Sequence, residues 1–234
     1  MSDRDFLLRR VRSALEDVRR GEALEGVHAW AEERPGTSRS KGGLIQEFRT
    51  ACSALPADVR TARTDEAVRE HLLAVLREEK VRTYAAWRSS SLERLEIPGC
   101  LDAREFREAG ADRPTMLNGD GSTGFKAATA DADAGITGAD FGLADTGTLV
   151  LEAGPGRERS LSLLPPVHVA VLCAENILAS TFDLLAGPLS SWNGPGPGRS
   201  NVTLITGSSK TADIEMELVH GVHGPGRLYV ILRV

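Results

Sequence analysis

Residues 57–87, ADVRTARTDEAVREHLLAVLREEKVRTYAAW, carry the clearest signals for the architecture of this chain. Residues 57–61 predict a short strand, and residues 81–87 predict another. Between them, residues 64–80 carry apolar side chains at helical spacing, which predicts an amphipathic helix. A strand, a helix and a strand in succession are typical of a βαβ unit with parallel strands. We therefore expect an α/β fold with a mainly parallel sheet.

The chain before this stretch is predicted to be helical. Residues 5–20 place Leu and Val on one face and charged residues on the other, which predicts an amphipathic helix. Residues 44–55 predict a further helix, which Pro56 ends. We therefore divide the chain into an N-terminal helical extension, residues 1–56, and an α/β domain, residues 57–234.

The chain after this stretch is harder to interpret. Residues 98–140 show little periodicity and contain a G-x-G-x-x-G pattern at residues 119–124, which we interpret as a turn-rich loop because no clear strand precedes it. Residues 148–151 and 228–232 predict buried strands. Residues 175–185 predict a helix.

Residues 205–215, ITGSSKTADIE, form a candidate anion site. Residues 201–205 predict a strand, and the residues after the small-residue loop predict the start of a helix. The free N–H groups and the dipole at a helix N-terminus attract anions, and Lys210 adds a positive charge. The alternative is that Ser209 or Thr211 simply caps the helix, with acids complementing its dipole. Both interpretations stay open.

Composition and charge restrict the partners, the compartment and the cofactors that we expect for this chain. A net charge of −5 and a pI of about 5.6 give no support for a nucleic-acid partner. The N-terminus lacks the apolar core of a signal peptide, and no apolar run reaches the length of a membrane span, so we expect a cytoplasmic protein. The three cysteines are far apart, and a single H-x-x-H at His220 and His223 lies among glycines. We therefore predict no metal site and no cofactor in this chain.

Four stretches together resemble one family. They are residues 135–151, Arg159 with residues 162–168, residues 206–215 and residues 221–225. In this order they are similar to the motifs of the lactate utilization (LUD) domain family. The resemblance implies a three-layer α/β/α fold like that of sugar-phosphate isomerases and CoA transferases. It also implies a role in oxidising L-lactate to pyruvate, beside partner proteins that carry iron–sulfur clusters.

The sequence supports two hypotheses for the function. In the first, the chain is a subunit that binds a small carboxylate or another anion and contacts redox partners. In the second, it is an acyl-CoA- or sugar-phosphate-related enzyme that uses Asp145 as a base or nucleophile, by analogy of fold. Family members usually have Glu at position 145 and Pro at position 208, where this chain has Asp and Ser. The candidate ligand-binding residues are Thr146, Gly147, Thr148, Arg159, His168, Gly207, Ser208, Ser209, Lys210, Thr211 and His223.

Overall fold

The computed structural model describes residues 40–102, 106–109, 129–190, 200–212, 218–220 and 223–234. The helices are α1 (Lys41–Ser53), α2 (Asp65–Glu78), α3 (Ser90–Arg94), α4 (Ile97–Asp102) and α5 (Thr181–Ala186). The strands are β1 (Asp58–Ala62), β2 (Thr83–Ala86), β3 (Arg107–Glu108), β4 (Ala134–Ala139), β5 (Phe141–Leu143), β6 (Thr148–Ala153), β7 (Val167–Cys173), β8 (Ile177–Leu178), β9 (Asn201–Ile205), β10 (Lys210–Ala212), β11 (Leu218–His220) and β12 (Arg227–Arg233). The predicted helix at residues 5–20 and the glycine pattern at residues 119–124 lie outside the described residues.

A parallel sheet forms the centre of the fold. Its six strands follow the order β1-β12-β7-β4-β2-β3, and every neighbouring pair is parallel. The closing strand β12 lies between β1 and β7, and its Val230, Ile231 and Leu232 are fully buried. This arrangement confirms the predicted mainly parallel sheet and the buried strand at residues 228–232.

Helices and a second sheet cover the parallel sheet. Helix α2 begins after Thr64, whose side chain accepts a hydrogen bond from Ala67 N, and it buries Val68, Leu72 and Leu76. Helix α1 buries Phe48 and Cys52 in the same hydrophobic core. The second sheet has the order β8-β5-β6-β9, with β5 and β6 joined as a hairpin. The result is a three-layer α/β fold; the domain boundary at residue 56 stays a prediction.

Strand β4 is the central element that periodicity did not reveal. All six of its residues are buried, and two of them are glycines. A Cβ atom on Gly135 would lie 2.0 Å from the backbone oxygen of Leu161, so only glycine fits beneath that chain segment. A strand of small residues buried on both faces has neither alternation nor a strong apolar run, which is why it resembled a loop.

Two predicted helices are wrong. The helix predicted over residues 175–185 is instead a 3₁₀ turn (Ala174–Asn176), strand β8 and helix α5. Ile177 and Leu178 pair with Gly142 and Leu143 of β5, and this tertiary pairing overrides the helical spacing. The helix predicted to follow the loop after residue 205 is also wrong where the structure describes the chain. Residues 210–212 and 218–220 form β10 and β11, which pair antiparallel, and residues 213–217 lie outside the described residues.

The chain divides into two compact units. One unit comprises Met1–Arg39 and Thr181–Trp192, of which the structure describes helix α5 and the turn after it. The other comprises Ser40–Ser180 and Asn193–Val234, and it contains both covering layers and the parallel sheet. Within the described ranges, no helix has the length and apolar character needed to cross a membrane.

Candidate functional site

Two glycine-containing loops meet at the C-terminal end of α1. The first is the β5–β6 turn, residues 144–147, where Gly147 has φ +64°. A Cβ atom there would lie 2.4 Å from the backbone nitrogen of Cys52. The second is the loop after β9, where Gly207 has φ +82° and a Cβ atom would lie 3.1 Å from Pro56 Cδ. The end of α1 is therefore the surface on which both loops rest.

Backbone hydrogen bonds fix the second loop. Ser208 N–H donates to Pro56 O at 3.2 Å, and Ser209 N–H donates to Pro225 O at 2.9 Å. The sequence analysis had predicted that amides of this loop could bind an anion, and these are two of them. Because both already have protein acceptors and the next described residues, Lys210–Ala212, form a strand, the helix-terminus argument for anion binding does not apply to these amides. A ligand at this loop must be held by side chains.

A chain of three threonine hydroxyls joins the two loops. Thr148 Oγ1–H donates to Thr146 Oγ1 at 2.8 Å, and the hydroxyls of Thr148 and Thr206 lie 2.8 Å apart. Thr148 is buried, whereas Thr146 and Thr206 are exposed. A hydroxyl has one proton to donate, so Thr148 accepts from Thr206 when it donates to Thr146. In this arrangement the hydroxyl proton of Thr146 is free to donate to a ligand, and the hydroxyl oxygen of Thr206 is free to accept from one.

The loop cluster lies at the amino edge of the parallel sheet. Pro56, which holds Ser208, comes just before β1, and Pro225, which holds Ser209, comes just before β12. Because β1 and β12 are parallel neighbours, both prolines mark the same edge. We call this edge, with the turn at 144–147 and the loop at 206–209, the amino-edge cluster.

Other predicted site residues lie close to this cluster along the chain. Asp145 is exposed, and its N–H donates to Ala179 O at 3.1 Å, so the turn presents its carboxylate at the surface. Lys210 is exposed at the start of β10, and Thr211 follows it in the same strand. His223 is exposed in the turn before β12. Among the described residues, no group of three or more His, Cys, Asp and Glu side chains could hold a metal ion.

Two predicted site residues lie elsewhere. His168 is 1% exposed in β7, where its Nε2 lies 2.8 Å from Thr137 Oγ1. Burial lowers the pKa of His168 from its usual 6.5 to about 4, so the ring is neutral at pH 7. Arg159 is exposed at the start of a 3₁₀ turn, Arg159–Ser162, that packs against β4. Neither residue belongs to the amino-edge cluster.

Polar side chains that the sequence analysis did not select lie at the opposite edge of the sheet. Ser89 and Ser91 follow β2, and Cys173 ends β7. The sequence does show polar residues directly after predicted strands, and ligands of open α/β sheets bind outside the carboxyl ends of the strands. Only the strand order, which places β4 between β2 and β7, shows that these residues lie at neighbouring strand ends.

Comparisons with known proteins fit this architecture. The chain is an α/β protein built on an open parallel sheet, the class of fold in which loops at the strand ends carry the sites. A family model described as the LUD domain matches residues 45–233, and the chain belongs to that family. A crystal structure of a DUF162 family protein from Deinococcus radiodurans has the same fold, with a TM-score of 0.56, 20% sequence identity and coverage of 84% of this chain and 99% of that one.

Named relatives come from several bacteria. A lactate utilization protein C of Shouchella clausii is 33% identical over 180 residues, which cover 68% of this chain and 78% of that protein. An uncharacterized protein of Neisseria meningitidis serogroup B is 41% identical over 99 residues, 42% of this chain and 41% of that protein. A lactate utilization protein C of Exiguobacterium is 42% identical over 102 residues, 43% of this chain and 44% of that protein. The match with these last two relatives spans less than half of their length.

Proposed function

We propose that this protein acts in lactate utilization as the member that binds the small carboxylate, beside separate iron–sulfur proteins that carry the electrons. The names of its relatives support the pathway. The small number and wide spacing of its cysteines suit a chain that leaves the clusters to its partners. The observation that carries the proposal is the threonine chain of the amino-edge cluster.

The threonine chain matches a 2-hydroxycarboxylate better than it matches a keto acid. Its donor end at Thr146 suits a carboxylate oxygen, and its acceptor end at Thr206 suits a hydroxyl proton. L-lactate has both groups, whereas pyruvate has no proton for the acceptor end. Lys210 supplies the cation that the carboxylate requires. We therefore expect the site to prefer L-lactate to pyruvate.

Thermal unfolding of the purified chain tests the proposal. A ligand that binds only the folded chain, at one hundred times its dissociation constant, adds about 2.7 kcal/mol to the free energy of unfolding. We expect L-lactate to raise the melting temperature more than pyruvate does at the same concentration. If neither compound changes the melting temperature at any concentration, the chain alone does not bind the carboxylate and the proposal is wrong.

Variants locate the binding. Thr146→Val removes the donor end from an exposed position, and we expect about tenfold weaker lactate binding with an unchanged melting temperature in the absence of ligand. Thr203→Val is the matched control, because its hydroxyl donates to Asn201 Oδ1 within β9 and lies outside the threonine chain. Asp145→Asn should leave lactate affinity intact or improve it, since it removes a negative charge. Loss of binding in Asp145→Asn would instead favour a direct role for that carboxylate.

A further inference from the structure

The strand order creates a topological switch point that the proposed function does not use. From β2 the chain passes to β3 on one side, and from β4 it passes to β7 on the other. Because the two connections leave in opposite directions, a topological switch point lies between β2 and β4. Open α/β sheets bind ligands outside the carboxyl ends of the strands at such a point. The amino-edge cluster lies at the other edge of the sheet.

Two serine hydroxyls lie at this switch point, at the carboxyl ends of β2 and β4. Ser89 Oγ and Ser91 Oγ lie 3.1 Å apart, and both are partly buried. Ser91 packs directly on β4, since a Cβ atom on Gly138 would lie 2.7 Å from its Oγ. When one hydroxyl donates to the other, the second proton remains available to a ligand. The absence of a side chain at Gly138 is what brings the serine pair onto the end of β4.

Arg94 extends this polar surface to the end of β7. Its Nη2 lies 3.8 Å from Cys173 Sγ and 4.0 Å from a carboxylate oxygen of Glu175. Both contacts are at the outer limit for their type, and the side chain is 63% exposed. The guanidinium therefore retains donors for a ligand. Lys41 adds a second cation nearby, where its ammonium donates to the backbone oxygen of Glu175.

The turn at residues 154–157 lies beside the end of β2. Arg88 N–H donates to Gly156 O at 2.8 Å, which joins this turn to the end of β2. Arg157 Nη1 donates to Asp140 Oδ1 at 2.8 Å, and its guanidinium lies 5.8 Å from the centre of the Trp87 ring. Because Asp140 pairs with Arg157, the charge of this guanidinium is balanced. Arg94 and Lys41 are exposed and supply positive charge beside Glu175.

We propose that the carboxyl ends of β2, β4 and β7 form a second binding site, which takes a small oxyanion, either a carboxylate or a phosphate. The hydroxyls of Ser89 and Ser91 and the guanidinium of Arg94 hold the anion. Glu175 competes for Arg94 and limits the affinity. This site is independent of the threonine chain, so either proposal can fail without the other.

Alkylation of Cys173 provides a local test. Iodoacetate is an oxyanion and iodoacetamide is its neutral counterpart; each forms an S–C bond with the thiolate and releases iodide. The full chain is alkylated and then digested, and mass spectrometry of the peptide that contains Cys173 gives the ratio of the two rates at this residue. We expect Arg94→Gln to lower this ratio severalfold and Glu175→Gln to raise it. Arg82→Gln, an exposed arginine at the amino edge, is the matched control and should leave the ratio unchanged.

Protection distinguishes a site from a general electrostatic field. Inorganic phosphate or L-lactate should slow the iodoacetamide reaction at Cys173 in a saturable way, and the compound that protects identifies the class of anion. Protection should weaken about tenfold in Arg94→Gln and strengthen in Glu175→Gln. If neither anion gives saturable protection, or if the two substitutions act in the same direction, the proposal is wrong. Thr146→Val, which tests the proposed function, should leave this protection unchanged.

Discussion

The two edges of the parallel sheet are built differently. At the amino edge, the two loops rest on backbone beside the threonine chain: Gly147 lies against Cys52 in α1, and Ser208 N–H bonds to Pro56 O. At the carboxyl edge, Arg88 N–H bonds to Gly156 O, but the contacts around the proposed anion site involve side chains, with Ser91 on Gly138 and Arg94 beside Cys173. Backbone contacts leave little room for adjustment, whereas side chains can rotate. The comparison suggests a rigid amino edge that fixes loop geometry and a carboxyl edge whose side chains can rearrange around a ligand.

A matched pair of glycine substitutions gives the largest expected effect. Gly147→Ala places a Cβ atom 2.4 Å from Cys52 N at φ +64°, so strain and overlap with backbone combine, and we expect a loss of about 4 kcal/mol in the free energy of unfolding. Gly138→Ala overlaps one atom, the Ser91 hydroxyl at 2.7 Å, while the next nearest atom is at an ordinary 3.7 Å, and the Ser91 side chain can rotate. We expect a loss of about 1 kcal/mol, measured by urea denaturation.

Removing the Ser91 hydroxyl tests whether this side chain causes the cost of Gly138→Ala. In a Ser91→Ala background, Gly138→Ala should cost less than it does in the native chain, because the overlapping atom is gone. No change at the edge of the sheet should rescue Gly147→Ala, whose obstacle is the helix backbone. Equal losses for the two glycine substitutions would mean that the edges do not differ in rigidity.

Strand β7 reaches both edges, and its buried histidine gives a pH-dependent effect. Burial lowers the pKa of His168 to about 4 in the folded chain, below its unfolded value of 6.5. The folded state therefore favours the neutral ring. This contribution is fully present above pH 6.5 and is lost as the pH falls to about 4. The shift corresponds to about 3 kcal/mol in the free energy of unfolding.

Urea denaturation at several pH values measures this effect. The stability of the native chain should decline between pH 6.5 and pH 4, beyond the decline that its carboxylates produce. His168→Gln should have a flatter profile in this range, although its stability at pH 7 is lower because the contact with Thr137 changes. A profile of unchanged steepness in His168→Gln would show that the buried ring does not titrate in this way.

Much of the fold could be predicted from the sequence because local patterns agree with it. Helix α2 has helical spacing and an N-cap threonine, and β12 is a continuous apolar run; both lie where they were predicted. Strand β4 could not be predicted, because its two glycines give no strand pattern. They are needed because Leu161 and Ser91, which are distant in sequence, pack closely against them. Likewise, Ile177 and Leu178 form β8 only because β5 is available to pair with them.

The candidate site could be predicted only in part for a similar reason. The sequence indicated the loops at 144–147 and 206–209, and the structure brings them together through Thr146, Thr148 and Thr206. Spacing along the chain could not show that Ser208 and Ser209 give their amides to two prolines. His168 lies within an apolar run of the sequence, which favours a buried, hydrogen-bonded ring over a ligand-binding one, and the structure places it in the sheet interior.

Two aspartates flank β4 and provide the smallest test of the comparison. At the amino edge, Asp133 Oδ2 accepts hydrogen bonds from Arg82 N and Thr83 N, both at 2.8 Å. Burial tends to raise the pKa of Asp133, but the hydrogen bonds from Thr83 and Arg82 outweigh it and lower the pKa. At the carboxyl edge, Asp140 accepts from Glu152 N and forms an ion pair with Arg157.

We expect Asp133→Asn and Asp140→Asn each to cost about 1 kcal/mol in the free energy of unfolding, measured by urea denaturation.

The salt dependence of the two losses should differ. Asp133 bonds to backbone amides, so its loss should cost the same at 0.05 M and 0.5 M salt. The Arg157–Asp140 pair is about one quarter exposed, so added salt should weaken it and shrink the cost of Asp140→Asn. Because the Asp133 carboxylate is favoured in the folded state, its contribution should also disappear as the pH falls below the unfolded pKa of about 4. Equal salt dependence at both positions would mean that charge pairing does not set the carboxyl edge apart from the amino edge.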